Sequence, residues 1–212
     1  RGSDRRSRGP MTGTRMNGGD AVSGASKDYR LKRMLSTHAQ TYPNELRERL
    51  LQVAHQRPGL HPEELCKLDA GIADALAQSA VSALKNYGID AKQVRAIGSH
   101  GQTVFHAPVH SPGTTLQIGD PNRIAALTGI ATVADFRRRD LALGGHGAPL
   151  VPAFHQAQFA SADEPRAVVN IGGIANVTVL PGREDQVTGF DTGPGNALMD
   201  EWAAEKLGKA HD

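Results

Sequence analysis

Apolar residues recur at helical spacing in two early stretches. Leu46, Leu50 and Val53 share one side of a short segment that opens at Tyr42-Pro43-Asn44 and ends near His55, before Pro58-Gly59. From Pro62 to Tyr87, the residues Leu65, Leu68, Ile72, Leu76, Ala80 and Leu84 repeat at three- and four-residue steps. That is the stripe of an amphipathic helix, and Gly88 supplies its stop.

The period then changes. Short apolar runs at 94–97, 114–118, 130–134, 167–171, 176–180 and 187–190 read as strands. Between them, helices are expected from Asp120-Pro121 through Leu127 (ended by Gly129), over 149–159 and over 194–207. Residues 137–147, RRRDLALGGHG, read as a polar loop. This alternation predicts an α/β layered domain with a mixed sheet and flanking helices. Residues 1–10 hold no large apolar residue and read as disordered, and 23–28 lack an apolar strand pattern. The chain therefore divides into a disordered or degenerate N-terminus, 1–30, and an ordered part, 31–212.

Composition adds little to that picture. The length of 212 residues, 39% of them hydrophobic, suits one domain or one and a half. A single cysteine, Cys66, excludes a disulfide framework and makes a reducing, cytoplasmic setting the expectation. No run approaches a transmembrane span and no secretory leader opens the chain, so neither a membrane nor export is expected. Charge is uneven: residues 1–40 carry nine Lys/Arg against three acids. With Tyr29 the only aromatic among them, that head reads as a solvated tail and not a nucleic-acid surface.

Polar and glycine residues gather four times just after expected strands, where open α/β sheets hold ligands. Ser99, His100, Gly101, Gln102 and Thr103 form a loop able to read hydroxyls and amides, or a solvated turn. Asp135, Arg137, Arg138, Arg139 and Asp140 precede Gly144-Gly145-His146-Gly147; the guanidinium forks suit carboxylate or phosphate, or the loop is only charged and exposed. Gly172-Gly173, between Asn170 and Asn176, allow close backbone approach to a ligand, or simply a hairpin. Asp191 sits at an expected strand end before Gly193, Gly195 and Asn196, where amides at a helix N-terminus would favour phosphate. A carboxylate there is what phosphoryl transfer, or its attacking nucleophile, requires. No histidine pair has metal-ligand spacing, and no Walker A run or G-x-S-x-G elbow occurs.

Taken in order, five blocks resemble those of anhydro-N-acetylmuramic acid kinases. They are STHAQTYPNELRERLL (36–51), VRAIGSHGQTVFH (94–106), TLQIGDPNRIAALTGIATVADFRRRDLALGGHGAPLVPAFHQAQF (115–159), VVNIGGIANVTVL (168–180) and GFDTGPGNALMDEW (189–202). The resemblance implies an actin/hexokinase-like (ribonuclease H-like) lobe. It implies ATP-dependent opening and phosphorylation of 1,6-anhydro-N-acetylmuramic acid to N-acetylmuramic acid 6-phosphate in peptidoglycan recycling, with Mg²⁺ offsetting phosphate charge. By match, Asp191 is the general base. His100, Gln102, Thr103, Gly172, Gly173, Asn176, Gly193 and Asn196 fall at sugar-contacting positions. Gly13, Thr14, Arg15, Met16, Asn17, Gly18, Gly19 and Asp20 stand where the family's M-S-G-T-S-x-D-G-x-D loop holds nucleotide phosphates.

That loop departs from the pattern: Arg15 stands for a serine, Asn17 for an aspartate, Gly19 for an apolar residue, and RGSDRRSRGP for the preceding strand. The family also continues into a second lobe with a G-G-G-A-x-N adenosine motif, expected to be absent from these residues. Partners implied are the amino sugar and ATP, with a homodimer for the full-length family. The alternatives are a related kinase for another amino sugar and an inactive sugar-binding fragment. The 212 residues alone are expected to be inactive and marginally stable.

Overall fold

The computed structural model describes residues 20–27, 30–56, 60–182 and 186–208. The described residues fall into two compact units, one within residues 16–150 and one within residues 151–212. The expectations for residues 1–19 lie outside the described residues.

In the first unit, strands β1 (Asp20–Lys27) and β2 (Arg30–Ala39) pair antiparallel, with irregular register at Ser23/Gly24 and Ala25/Ser26. This hairpin falls partly in the stretch where no strand pattern was legible. Helices α1 (Asn44–Gln56) and α2 (Pro62–Tyr87) follow where the apolar stripes put them. The His61 side chain accepts from the Glu63 N–H at the α2 N-terminus, and Gly88 closes the helix at φ 65°.

One core gathers Tyr42, Leu50, Leu68, Ile72 and Ile118. Further along α2 the buried side rotates to Ala73 and Ala77, which pack against Ile124. Ile124 lies on α3 (Pro121–Thr128), where Asp120 caps the Asn122 N–H at 2.8 Å and Gly129 ends the helix at φ 70°. Small residues on α2 let α3 lie close, and Arg123 then reaches Asp74 through two bonds of 2.5 and 2.9 Å. That guanidinium contact draws the Asp74 carboxyl below the usual carboxylate range.

The expected strands at 94–97 and 130–134 shrink to β3 (Ile97–Gly98) and β6 (Thr132–Val133), a short parallel pair. Between them, β4 (Gln102–Ala107) and β5 (Thr114–Ile118) form an antiparallel hairpin. β4 was not legible as a strand, because its polar positions Thr103 and His106 are satisfied across the hairpin. Residues 137–147, expected as loop, contain a short helix, α4 (Arg138–Ala142).

The second unit opens with α5 (Pro152–Phe159), shorter than the expected 149–159. An antiparallel meander follows: β7 (Arg166–Ile171), β8 (Ile174–Leu180) and β9 (Thr188–Pro194). Helix α6 (Asn196–Leu207) comes last. α5 packs on β8 through buried His155, whose Nδ1 is 2.8 Å from Thr178 Oγ1. Gly189 permits the packing, since a Cβ there would lie 2.4 Å from Pro152 Cγ.

The chain is thus mixed α/β. In place of one mixed sheet, the described residues form four small ones, and three of those four are antiparallel. Among the described residues, the parallel pairing spans only two residues on each strand. Among the described residues no helix is long and apolar enough to cross a membrane.

Candidate functional site

Asp191 lies inside β9, not at a strand end as expected. Asn176 of β8 stands directly opposite it, and Asn170 of β7 stands opposite Asn176. Directly paired residues present their side chains on the same face of a sheet, a few ångströms apart. The three strands therefore carry a polar row, Asn170–Asn176–Asp191, across one face. Asp191 and Asn170 are exposed, while Asn176 is half-buried and its Oδ1 is buried without a hydrogen-bond partner. A buried acceptor left in that state is ready for a donor from a ligand or water.

The register slips beside this row. Ala175 pairs with Gly193 while Asn176 pairs with Asp191, which makes Thr192 the extra residue of a bulge. Thr192 Oγ1 donates to the Ala175 carbonyl at 3.1 Å, and Gly193 takes φ 137°, a conformation open to glycine. The turn Gly172-Gly173 then meets the start of α6. Gly195 N–H and Ala197 N–H donate to the Gly173 carbonyl at 2.8 and 3.3 Å, and Asn196 N–H donates to Gly172 at 2.7 Å. A Cβ on Gly195 would lie 2.3 Å from the Gly172 oxygen. The amides expected to greet phosphate are therefore bonded to this turn, because the close approach that the glycines permit is made by the protein's own backbone.

In the first unit, His100, Gln102 and Thr103 follow β3. His100 Nδ1 is 3.0 Å from the Gly101 carbonyl, and its Nε2 is 2.8 Å from Arg137 Nε. A ring reading a ligand through nitrogen would first give up one of these bonds. Burial pulls the His100 pKa below its ordinary value, opposed by the Gly101 bond and reinforced by the Arg137 charge. Gln102 Nε2 donates to the Thr103 carbonyl at 3.3 Å. Thr103 Oγ1 accepts from Gln117 Nε2 at 3.2 Å, which also reaches Thr115 Oγ1 at 2.8 Å. The Gln117 Oε1 is buried with no hydrogen-bond partner.

The structure thus brings Asp191, Gly172, Gly173, Asn176, Gly193 and Asn196 together in one unit, and His100, Gln102 and Thr103 in the other. Gly13, Thr14, Arg15, Met16, Asn17, Gly18 and Gly19 lie outside the described residues, and Asp20 opens β1. Sequence reasoning did not place Asn170 in the row with Asp191, since strand register is a non-local property. It noted Arg137 only as one of three adjacent arginines. Among the described residues no group of three or more His, Cys, Asp or Glu side chains gathers as metal ligands.

Comparison with known proteins agrees with the blocks read from the sequence. The family model described as anhydro-N-acetylmuramic acid kinase matches residues 5–212. Proteins named anhydro-N-acetylmuramic acid kinase from Shewanella amazonensis and Shewanella halifaxensis are each 50% identical over 205 residues, covering 96% of this chain and 55% of their own length. One from Shewanella baltica is 47% identical over 208 residues with the same coverage. The chain therefore spans about half the length of the curated relatives it matches. With nearly all of its residues matched, the chain belongs to the anhydro-N-acetylmuramic acid kinase family.

Proposed function

We propose that the chain carries the sugar-handling part of an ATP-dependent kinase that opens and phosphorylates 1,6-anhydro-N-acetylmuramic acid in the cytoplasm. The reading is carried by one placement within a family match over residues 5–212: the exposed Asp191 carboxylate, paired across the strands with the half-buried Asn176 amide. A water oxygen bonds to the anomeric carbon as that carbon's bond to O6 breaks. Asp191 takes the water's proton, and O6 takes the γ-phosphoryl group of ATP as the bond from that phosphorus to the bridging oxygen breaks and ADP leaves. An accessible carboxylate suits the base this step needs, and the amides of Asn176 and Asn170 suit sugar hydroxyls or an N-acetyl group. Magnesium, bound with the nucleotide, would offset phosphate charge.

We assign the sugar also to Gln102, Thr103, Gly172, Gly173, Gly193 and Asn196, and the nucleotide phosphates to Gly13 through Asp20. Residues 31–212 would form the N-terminal lobe of an actin/hexokinase-like kinase, homodimeric at full length. Turnover would need the further length present in the relatives, so the 212-residue polypeptide by itself is inactive in this reading.

The test is made in the chain extended by a family second lobe and given a family-like first loop. There Asp191→Asn keeps the shape of the side chain but cannot take a proton. A loss on the order of 10²–10⁴-fold in kcat with sugar affinity retained is expected. Near-normal kcat in that variant overturns the assignment of the base.

A further inference from the structure

The contact between Arg137 and His100 has a direction fixed by chemistry. A guanidinium nitrogen donates and has no lone pair to accept with, so His100 Nε2, 2.8 Å from Arg137 Nε, is the acceptor. The Gly101 carbonyl can only accept, so His100 Nδ1, 3.0 Å away, carries the proton. The two partners select the same form, the neutral ring protonated at Nδ1. A free histidine side chain favours the other tautomer, with the proton on Nε2, so the environment has reversed the preference.

Arg137 also acts on a second loop. Its Nη1 donates to the Gly147 carbonyl at 2.5 Å, while the Gly147 N–H donates to Asp140 Oδ2 at 2.7 Å. Gly147 sits at φ 68°, and a Cβ there would lie 2.4 Å from Leu141 Cδ1, so this loop has little freedom of its own. One guanidinium therefore joins the segment after β3 to the segment after α4.

Several charged groups on the neighbouring elements have partners of their own. Asp140 of α4 is engaged with Gly147, and Asp135 pairs with Arg138 at 3.0 Å. On α2, Asp69 accepts from the Gly119 N–H at 2.6 Å.

We propose that Arg137 is a positioning residue that acts through His100, holding the ring as its Nδ1–H tautomer and so fixing the backbone of residues 98–103 that presents Gln102 and Thr103. The proposal rests on the kinase reading only for what Gln102 and Thr103 touch. The tautomer and the loop geometry are properties of the chain itself. His100 becomes a strut between two loops, which accounts for both ring nitrogens being used internally.

Ring-nitrogen NMR on the ¹⁵N-labelled 212-residue chain tests this, with His100→Gln identifying the His100 signals among those of the nine histidines. The wild-type ring should show a pyrrole-type Nδ1 and a pyridine-type Nε2. It should stay neutral as pH falls below the ordinary histidine range. Arg137→Ala should move the ring toward the Nε2–H tautomer, raise its pKa, and shift the backbone amides of Gln102 and Thr103. Arg137→Lys restores a single donor and should recover the tautomer without the link to Gly147. Should Arg137→Ala fail to fold, Arg137→Gln and Arg137→Lys carry the same comparison. A wild-type ring protonated at Nε2, or a tautomer indifferent to every Arg137 substitution, overturns the proposal. Titration of the wild-type chain with 1,6-anhydro-N-acetylmuramic acid is read separately. Absence of any shift at Gln102 or Thr103 counts against the sugar assignment and leaves the tautomer result to decide the proposal.

Discussion

Single histidines carry much of the pH response expected of this chain. His155 is buried between α5 and β8, with Thr178 Oγ1 at 2.8 Å and the rings of Phe154 and Phe159 at 6.2 and 5.9 Å. Burial pulls its pKa below the ordinary value, which means the folded state favours the neutral ring. The unfolded chain takes up the proton first, near pH 6.5. The stability owed to this site is therefore full above that pH and is lost as pH falls through the lower, folded value. The urea midpoint should hold steady down to about pH 7 and decline as pH falls below the ordinary histidine range. His155→Gln keeps a polar partner for Thr178 but cannot titrate, so its midpoint should fall less steeply over the same window. His100, shifted in the same direction, contributes in the same sense. Equal slopes for wild type and His155→Gln would remove His155 from this account.

Among the elements, those set by local chemistry were legible and those set by distant partners were not. α2 and α3 were read correctly because a periodic stripe, a capping side chain and a terminal glycine all lie within the element. β4 was missed because Thr103, Gln117, Thr115 and His106 satisfy one another across the hairpin, a pairing invisible from either strand alone. α4 was missed because it is held by Asp140 reaching forward to Gly147 and not by apolar periodicity. The candidate site divides in the same way. Asp191 and Asn176 were legible as residues, but their pairing, and the use of the α6 amides by the Gly172-Gly173 turn, depend on register. Gly119 shows how tightly one such junction is set. It takes φ 118°, and a Cβ would lie 2.9 Å from Ile72 Cγ2 and 3.2 Å from Leu76 Cδ1. Gly119→Ala should therefore cost roughly 1–3 kcal/mol through crowding in the core, with backbone strain added. Gly88→Ala, at φ 65° with open space around it, should cost about 1–2 kcal/mol from the left-handed backbone alone. Denaturant midpoints rank the two, and a larger loss at Gly88 would show that the Ile72–Leu76 packing yields more readily than its geometry implies.

At the scale of the molecule, the two units differ in how much apolar surface they bury. The first holds Tyr42, Leu50, Leu68, Ile72, Ile118 and Ile124 in its cores. In the second, Leu180 and Ala203 are the buried hydrophobic residues among those described, while Val169, Ile171, Phe190, Leu198 and Trp202 are each more than half exposed. Burial of apolar side chains contributes about 25 cal/mol per Å², so the second unit has far less to set against its conformational entropy. Its exposed positions include a contiguous face on α6, formed by Leu198, Met199, Trp202 and Leu207, of the kind that promotes association. Trp202 is the only tryptophan of the chain and reports on this face directly. In dilute solution its emission should be solvent-like and readily quenched. In native-state hydrogen exchange, amides of β7, β8 and β9 should open at lower denaturant than those of α2, as expected for a unit of lower local stability. At higher protein concentration the emission should shift to shorter wavelength as the α6 face becomes covered by other copies. A single transition shared by Trp202 emission, α2 amides and β8 amides, independent of protein concentration, would show instead that the two units are stabilised as one.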